Sequence, residues 1–399
     1  MNNKRKWAFA AVASCVMTAV HADVSFSGFL SVGGGIADEE IFPVTGGDAY
    51  SYAGYNSEDF TFDSDTLFGL QVSSEISEKL RVTGQFVARG TEDYSVSAEW
   101  AYISYEVNDQ FTWRMGRFRT PLYLYSDYVD VGYAYSWIRT PRAVYYLPFN
   151  NVQGADFIWR FQLGSWDGSV QGYYGALTDS FFNTDFQATL STELRNQMGV
   201  AFSVGNDWLT LRAAYHQADL ALTGYETPQL QGLIATLNGL GFSDNANRLI
   251  TDDSGNFLAF GYTIDTGMFV SSGEVIEFEV EDSPFSLDKR AYVMAGLRFG
   301  DVLVHITHAK TEDEAADLSS GIPNAGPLAA IVSALNGIAA GSVAEVETNS
   351  IGLRWDFTPG SAFKLQYDMT EDTSPGNLAD FGQSDVELNV VSFAIQTVF

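Results

Sequence analysis

A short segment near the end of the chain shows a pattern that recurs throughout it: Ser350-Ile351-Gly352-Leu353-Arg354-Trp355-Asp356-Phe357. Apolar side chains stand at every second position, with small or polar ones between them. Because successive side chains of a strand point to opposite sides, this pattern predicts β-strands with one apolar and one hydrated face. The alternation recurs at 363–369, 197–204 and 209–216. A soluble β-sandwich also alternates in this way, with its apolar face buried.

The connections between these segments favour a barrel over a sandwich. Seven are short turns, at Glu78-Lys79, Asn108-Asp109, Gly164 to Gly168, Gly205 to Asp207, Asp265 to Gly267, Gly300-Asp301 and Thr358 to Gly360. Eight are longer polar loops, at 35–64, 90–95, 119–151, 179–194, 218–256, 282–287, 311–345 and 371–385. Fifteen connections join sixteen strands. An even number of strands, with short turns at one end and long loops at the other, is typical of transmembrane β-barrels.

The first 22 residues predict a secretory signal peptide. A positive start, an apolar run and a small-residue cleavage site follow one another at Lys4 to Lys6, Trp7 to Val20, and Val20-His21-Ala22. The run is short for a membrane-spanning helix, and it continues past Cys15, which disfavours lipid attachment there. We therefore expect a single domain over 23–399, without a cysteine for a disulfide or a thiolate metal site.

Composition narrows the class of protein further. Aromatic residues make up 14% of the chain, which holds 37 Gly against 10 Pro, as expected of many strands joined by tight turns. No later apolar run is long enough for a transmembrane helix. The net charge is −29; without the three basic residues of the signal peptide, 18 basic residues face 50 acidic ones. This excess of acid argues against a nucleic-acid partner, since phosphate binding needs the opposite sign.

The last strand and the third long loop carry a resemblance to a known family. The strand Val386 to Phe399 ends on an aromatic residue, and Met115-Gly116-Arg117 closes the fifth strand directly before loop 119–151. In this strand order the chain resembles the general porins of Gram-negative bacteria, although the Pro-Glu-Phe-Gly-Gly tip of the family's third loop is missing. The resemblance implies a trimeric outer-membrane barrel with short periplasmic turns and long extracellular loops.

A barrel of this size is expected to hold a water-filled pore. In hydrocarbon a sheet spans only by closing on itself, because every backbone polar group must be paired. Sixteen strands enclose a lumen that wall side chains alone do not fill. We therefore expect loop 119–151 to fold inward and narrow the lumen.

The family resemblance also implies where the narrowest point lies. In porins like this chain, acids on the inward loop face arginines on the wall, and the transverse field between them orients polar solutes. The corresponding candidates here are the loop acids Asp127 and Asp130 and the basic residues Arg81, Arg117 and Arg160 at lumen-facing strand positions, with Arg89 and Arg119 nearer a rim. The alternative is that these arginines are ordinary lumen charges paired with Glu or Asp.

Two loop features leave alternatives open. Loop 119–151 contains eight Tyr and Trp residues, at 123, 125, 128, 133, 135, 137, 145 and 146. They form either a stacking track for sugars or, as we favour, anchors that hold the loop to the wall. Two similar apolar segments, 233–240 and 331–338, predict short helices near 229–241 and 327–340 that end at Asn-Gly. We expect them to cover the mouth and pack on each other; the alternative is a surface exposed for binding a partner or a phage.

The sequence thus predicts a passive channel for small hydrophilic solutes and ions, without a cofactor or a bound metal. Expected partners are outer-membrane lipid and lipopolysaccharide, and copies of the same chain in a homotrimer. A sugar-specific channel is the main alternative. An outer-membrane hydrolase is the weaker one, because no Gly-x-Ser-x-Gly or His-Glu-x-x-His motif is present. His216 and His305 occupy positions that the alternation assigns to the polar, lumen-facing side. We therefore expect both to be water-exposed residues of the wall.

Overall fold

The computed structural model describes residues 23–43, 49–183, 188–285, 287–376, 382 and 385–399, so the signal peptide and Cys15 lie outside the described residues. Sixteen strands close into one antiparallel barrel. They are β1 (Val24–Ala37), β2 (Leu67–Ser77), β3 (Leu80–Arg89), β4 (Val96–Asn108), β5 (Phe111–Arg119), β6 (Asn151–Leu163), β7 (Trp166–Asn183), β8 (Ala188–Gly205), β9 (Leu209–Thr223), β10 (Asp252–Asp265), β11 (Phe269–Val280), β12 (Asp288–Phe299), β13 (Val302–Glu312), β14 (Glu345–Thr358), β15 (Ser361–Asp372) and β16 (Val386–Val398).

The barrel closes where β1 pairs with β16, from Phe29 opposite Val398 to Ala37 opposite Val390. Each strand also pairs with its neighbours in sequence, so neither β1 nor β16 leaves an open edge. The predicted fold class, strand number and seven short turns are confirmed.

Two predicted loops are wrong in extent. Most of 179–194 is strand, because β7 and β8 stay paired as far as Asn183 opposite Ala188. The loop predicted at 218–256 is also shorter, since β9 continues to Thr223 and β10 begins at Asp252. Register shifts between Gly175 and Leu177 and between Arg195 and Met198 interrupt the alternation ahead of these extensions, although Leu190, Leu194 and Leu220 on them are buried.

The two faces of the wall differ in the way the alternation predicts. On β13, Val304 and Ile306 are 41% and 62% exposed, whereas Leu303 and His305, which alternate with them, are buried. The same contrast holds on β15 between Leu365 and Lys364. The exposed apolar side chains therefore face lipid, and the buried set faces the lumen.

Within the described parts of the long loops lie the α-helices α1 (Pro228–Leu240), α2 (Ser243–Asn247) and α3 (Leu328–Gly341). As predicted, α1 and α3 share one apolar cluster, which includes Leu237 and Leu335. The predicted stop at Asn-Gly is wrong, because α1 continues to Leu240 and ends at Gly241 with a φ of 89°. Within the described residues, no helix is long and apolar enough to cross a membrane.

Candidate functional site

Loop 119–151 folds into the barrel, and its first anchor is an ion-pair cluster at its root. The Asp130 carboxylate accepts hydrogen bonds from Arg119 on β5 and Arg89 on β3, at 2.5 and 2.8 Å. Glu99 on β4 contacts the same two arginines, at 3.3 and 2.8 Å. The structure thus brings the predicted residues Arg119 and Asp130 together. Their charges are neutralised within this cluster, which holds the loop.

A second anchor lies on β14 and β15. The Lys364 side chain is 1% exposed, and its Nζ donates to the carbonyl oxygens of Gly132, Tyr135 and Trp137 at 2.7, 2.6 and 2.5 Å. Arg354 donates to two carbonyl oxygens of the same stretch, at 2.8 and 2.9 Å. Two wall cations are therefore bound to loop backbone and do not face the lumen as free charges.

The third anchor is the loop's own Arg139. Its guanidinium pairs with Asp65, in the loop before β2, at 2.6 Å and with Asp368 on β15 at 3.0 Å, and it donates to Ser392 on β16 at 2.8 Å. Burial alone would lower the pKa of Arg139, but the two carboxylates outweigh burial and raise the pKa above its usual value. The arginine therefore stays charged and joins two loops and two strands.

A fourth anchor is the buried Glu274 carboxylate on β11. It accepts the backbone N–H of Leu124 at 2.7 Å and the Tyr145 hydroxyl at 2.8 Å. Burial, and then the Glu274 charge, raise the pKa of Tyr145 well above its ordinary value, so this hydroxyl keeps its proton and donates. Nearby, the Tyr146 hydroxyl donates to Asp288. Both ends of the loop's excursion are thus held to β11 and β12.

The aromatic residues of the loop form a core inside the barrel. Trp137 is 2% exposed, donates from Nε1 to Thr307 at 2.7 Å, and packs edge-to-face on Tyr292. The cluster joins loop side chains to apolar wall residues of β8 to β13: Leu122, Tyr123, Leu124, Tyr125, Tyr135, Trp137, Val144 and Leu147 against Ala201, Ala214, Phe257, Ala259, Val270, Ile276, Tyr292, Met294, Leu303 and Ala309. This burial agrees with the anchoring interpretation of the aromatics and removes Tyr123, Tyr125, Tyr135 and Trp137 from a sugar track.

The two lumen histidines also contact the loop, which corrects their predicted role as wet wall residues. His216 on β9 is 4% exposed, with Nε2 3.1 Å from the carbonyl oxygen of Pro121 and Nδ1 3.0 Å from the Tyr173 hydroxyl. His305 on β13 is 2% exposed and its ring packs edge-on against Trp137. Both are covered because the loop lies on them.

Two charged side chains of the loop remain exposed to water: Asp127 and Arg142. Among the described residues, neither has an ion-pair partner within 4.0 Å. Asp127 sits in a short 3₁₀ turn, Ser126–Tyr128, and lies within electrostatic range of Arg114 on β5, which is itself paired with Asp156. Of the two predicted constriction acids, Asp127 is thus the one that no ion pair neutralises.

The prediction that Arg117 faces the lumen is wrong. The β4–β5 register runs without a shift from Ile103 opposite Met115 to Ala101 opposite Arg117, so Gly116 does not reset the alternation. Arg117 therefore shares a face with Met115, which is 70% exposed on the lipid side. Its nearest acid is Asp179, at 4.0 Å.

Arg81 and Arg160 lie close to short turns and make no hydrogen bond or ion pair with loop 119–151 among the described residues. Arg81 pairs with the exposed Glu75 at 2.5 Å. Arg160 is exposed and lines a wide polar vestibule of 670 Å³ between β6 and β9. Both therefore belong to the short-turn mouth of the barrel and not to the segment narrowed by the loop.

The residues that sequence reasoning missed are Arg139, Lys364 and Glu274. Lys364 and Glu274 stand at lumen-facing positions of their strands. A charged residue at such a position is the sequence signal that could have identified them as contacts of the loop. Arg139 gave no such signal, since its partners lie 74 and 229 residues away. Within the described residues, no group of three or more His, Cys, Asp or Glu side chains could hold a metal ion.

Solved structures share this architecture at low sequence identity. The outer-membrane channel DcaP of Acinetobacter baumannii matches with a TM-score of 0.54 and 11% identity over 95% of this chain and 97% of that one. An anion-selective porin from Comamonas acidovorans matches with a TM-score of 0.53 and 12% identity over 95% and 100% of the two chains. The chain has the porin fold. The trimer form of OmpT, an outer membrane protein of Vibrio cholerae, matches this porin-like barrel with a TM-score of 0.53 and 10% identity over 95% and 99%.

No family model and no curated protein matches the sequence. The porin-like barrel therefore shares its fold with these structures, and its own side chains must carry any statement about selectivity.

Proposed function

We propose that this chain is an outer-membrane diffusion channel for small hydrophilic solutes and ions. The proposal rests on one observation: loop 119–151 is attached inside the barrel by the ion pairs of Asp130 and Arg139 and by the hydrogen bonds that Lys364 donates to loop carbonyl oxygens. A loop held on so many strands narrows the lumen without any domain having to enter it. The outer membrane is supported as the location by the wall's apolar outer face and by the porin fold.

The passage is narrow. Polar lumen-facing residues on several strands are almost fully buried, including Gln85 on β3, Gln171 on β7, Ser272 on β11 and Gln366 on β15. In a wide pore such polar side chains would be wet. We therefore expect small ions and short polar solutes to pass, and a low conductance for a barrel of sixteen strands.

Planar-bilayer recording and liposome swelling test this function. Discrete conductance steps, with swelling in small unrelated sugars and amino acids that falls steeply with solute size, are the expected result. Saturable uptake of one sugar class would instead favour the sugar-specific alternative, for which the loop offers the exposed Tyr128 and the half-buried Tyr133, Tyr145 and Tyr146. Absence of any conductance from folded barrels would contradict the channel.

Selectivity is expected to depend on Asp127. Replacing Asp127→Asn removes one exposed charge, and a unit charge about 4 Å from a passing ion in water is worth about 1 kcal/mol, or about a five-fold change in occupancy. The reversal potential in a salt gradient should therefore shift toward anions by a corresponding change in permeability ratio.

The matched control is Asp109→Asn, which removes an exposed acid from a short turn. Asp130→Asn is unsuitable as a charge probe, because Asp130 is bound to Arg89 and Arg119. An unchanged reversal potential in Asp127→Asn would remove this residue from the ion pathway.

A catalytic role is not proposed. The outward pair His308 and Asn349, 3.0 Å apart, is the arrangement nearest to a hydrolase site on the outer wall. The residue opposite His308 on β12 is Val293, and Ile306 and Lys310 flank it on its own strand, so these positions offer no hydroxyl nucleophile. Release of fatty acid from phospholipid by the purified barrel would overturn this view.

A homotrimer is supported by an uneven outer surface. Around most of the barrel, outward polar groups bond to each other near the loop end, as in Tyr174 to Asn196, Tyr215 to Asn256 and Asn389 to Asp38. On β3 and β4 the outward residues next to loop 90–95 are apolar or small: Ala88, Val96 and Ala98. At these positions the surface has no polar side chains for contact with lipid headgroups. It is therefore suited to contact with another copy of the chain.

Val96→Lys should therefore convert the trimer to monomer, because it buries an unpaired charge in the contact. Leu258→Lys, on an exposed outward position of β10, is the control and should leave the trimer intact. Native mass spectrometry in detergent measures both. A Val96→Lys protein that stays trimeric would place the contact elsewhere.

A further inference from the structure

An apolar groove lies on the outer wall between β10 and β13. Its floor is Gly273 on β11, which stands in register with Tyr262 on β10 and Val293 on β12. A Cβ at Gly273 would lie 2.7 Å from Cε1 of the Tyr262 ring, so only glycine leaves this depression open. The groove has a volume of 370 Å³, and its other outward apolar side chains are Phe260, Val275 and Ala291.

Basic groups stand at the loop end of this groove. Lys310 and His308 on β13 line it directly. Lys310 is opposite Ala291 on β12, so Lys289 is its diagonal neighbour on the same outward face, within reach of a shared ligand. After residue 22 the chain has four lysines, at 79, 289, 310 and 364. Two of these four lysines, Lys289 and Lys310, are therefore neighbours on the outer surface of a strongly acidic protein.

The present partners of these lysines are weakly held. Lys310 contacts Glu312 and Glu347 at 3.1 and 3.5 Å, and Lys289 contacts Glu314; all five side chains are between 43% and 69% exposed. Ion pairs this exposed contribute little free energy, so a phosphate can replace a carboxylate at small cost. The displaced carboxylates are acceptors, which suits the hydroxyl groups of a sugar.

We propose that this groove binds one acyl chain of a phosphorylated glycolipid, whose phosphate contacts Lys310 and Lys289. The acyl chain covers the apolar floor at Gly273, and the sugar hydroxyls donate to the neighbouring glutamates. The inference rests on the proposed outer-membrane location, with the loops on the glycolipid side, and does not depend on channel activity.

The test measures lipid retained by the purified barrel with native mass spectrometry, using bisphosphorylated lipid A, its dephosphorylated form and phosphatidylglycerol as probes. The double variant Lys289→Gln, Lys310→Gln removes the phosphate contacts, and Ala291→Phe fills the groove. We expect each to lower lipid A retention at least ten-fold. Lys79→Gln, at a short turn, and Ala155→Phe, outward on β6 between Met115 and Tyr174, are the matched controls and should retain it.

Two results would overturn the proposal: lipid A retention by the double variant at the unmodified level, or equal retention of the dephosphorylated form. Equal retention of phosphatidylglycerol would overturn the assignment of a sugar headgroup. Heat-modifiability on gels confirms that each variant is folded. Conductance recorded on the same preparations separates this site from the channel, because normal conductance without lipid retention identifies loss of the lipid site alone.

Discussion

Arg139→Ala is expected to release loop 119–151 from the wall and to increase ion flow through the barrel. The substitution leaves Asp65 and Asp368, with side chains 4% and 1% exposed, as buried charges without their arginine. Removing one partner of a buried ion pair costs about 3–5 kcal/mol. When that cost destabilises the state in which the loop is bound to the wall, the population of the released loop rises by about 10²-fold or more.

The measurement is single-channel conductance, together with the rate at which chymotrypsin cleaves the aromatic loop. Arg142→Ala is the control, because Arg142 lies three residues further on, is exposed, and has no ion-pair partner within 4.0 Å among the described residues. Conductance and cleavage that match the unmodified protein in Arg139→Ala would show that this ion pair does not hold the loop.

Trp137→Ala is expected to have the second large effect, through packing and not charge. Trp137 lies at the centre of the aromatic cluster and contacts Tyr125, Tyr135 and Tyr292. Truncating a buried tryptophan costs about 3–5 kcal/mol, because contacts are lost and a cavity remains. The Thr307 hydroxyl also loses its partner, which was 2.7 Å away.

We expect faster chymotrypsin cleavage of the loop and larger current fluctuations in this variant. Trp113→Ala is the control, since Trp113 is outward on β5 and 46% exposed. A Trp137→Ala channel with quiet currents and a resistant loop would mean that the polar anchors alone hold the loop. The double variant with Arg139→Ala then measures how strongly the two anchors are coupled.

The strands could be predicted because lipid and lumen impose opposite demands on alternate residues. The segment 350–357 lies in β14, as its alternation predicted. The same alternation elsewhere in the chain located the other strands and so the fifteen connections between them. Prediction was wrong where the alternation is interrupted. The pairing of β7 with β8 shifts register between Gly175 and Leu177, and Asn196 on β8 has a φ of 48°, so the period-two signal is broken before the extensions and they were predicted as loop.

Side-chain roles within the lumen were harder to predict. The facing of Arg117 could have been obtained by counting two residues from Met115, and the family resemblance was the weaker guide. The anchors at Arg139 and Lys364 depend on partners more than 200 residues away, which spacing along the chain does not reveal. Asp127 was predicted as an inward acid from the family resemblance, whereas its lack of an ion-pair partner among the described residues is known only from the fold.

The apolar wall under loop 119–151 gives this barrel a second interior. Phe257, Met294 and Leu303 are sealed by Leu122 and Tyr125 in a water-excluding core, enclosed by a wall whose other side rests in lipid. Melting that core would hydrate apolar surface, so the loop's attachment carries the positive heat-capacity change of a small globular domain. The free energy that holds the loop to the wall is then largest at an intermediate temperature, and it decreases on cooling as well as on heating.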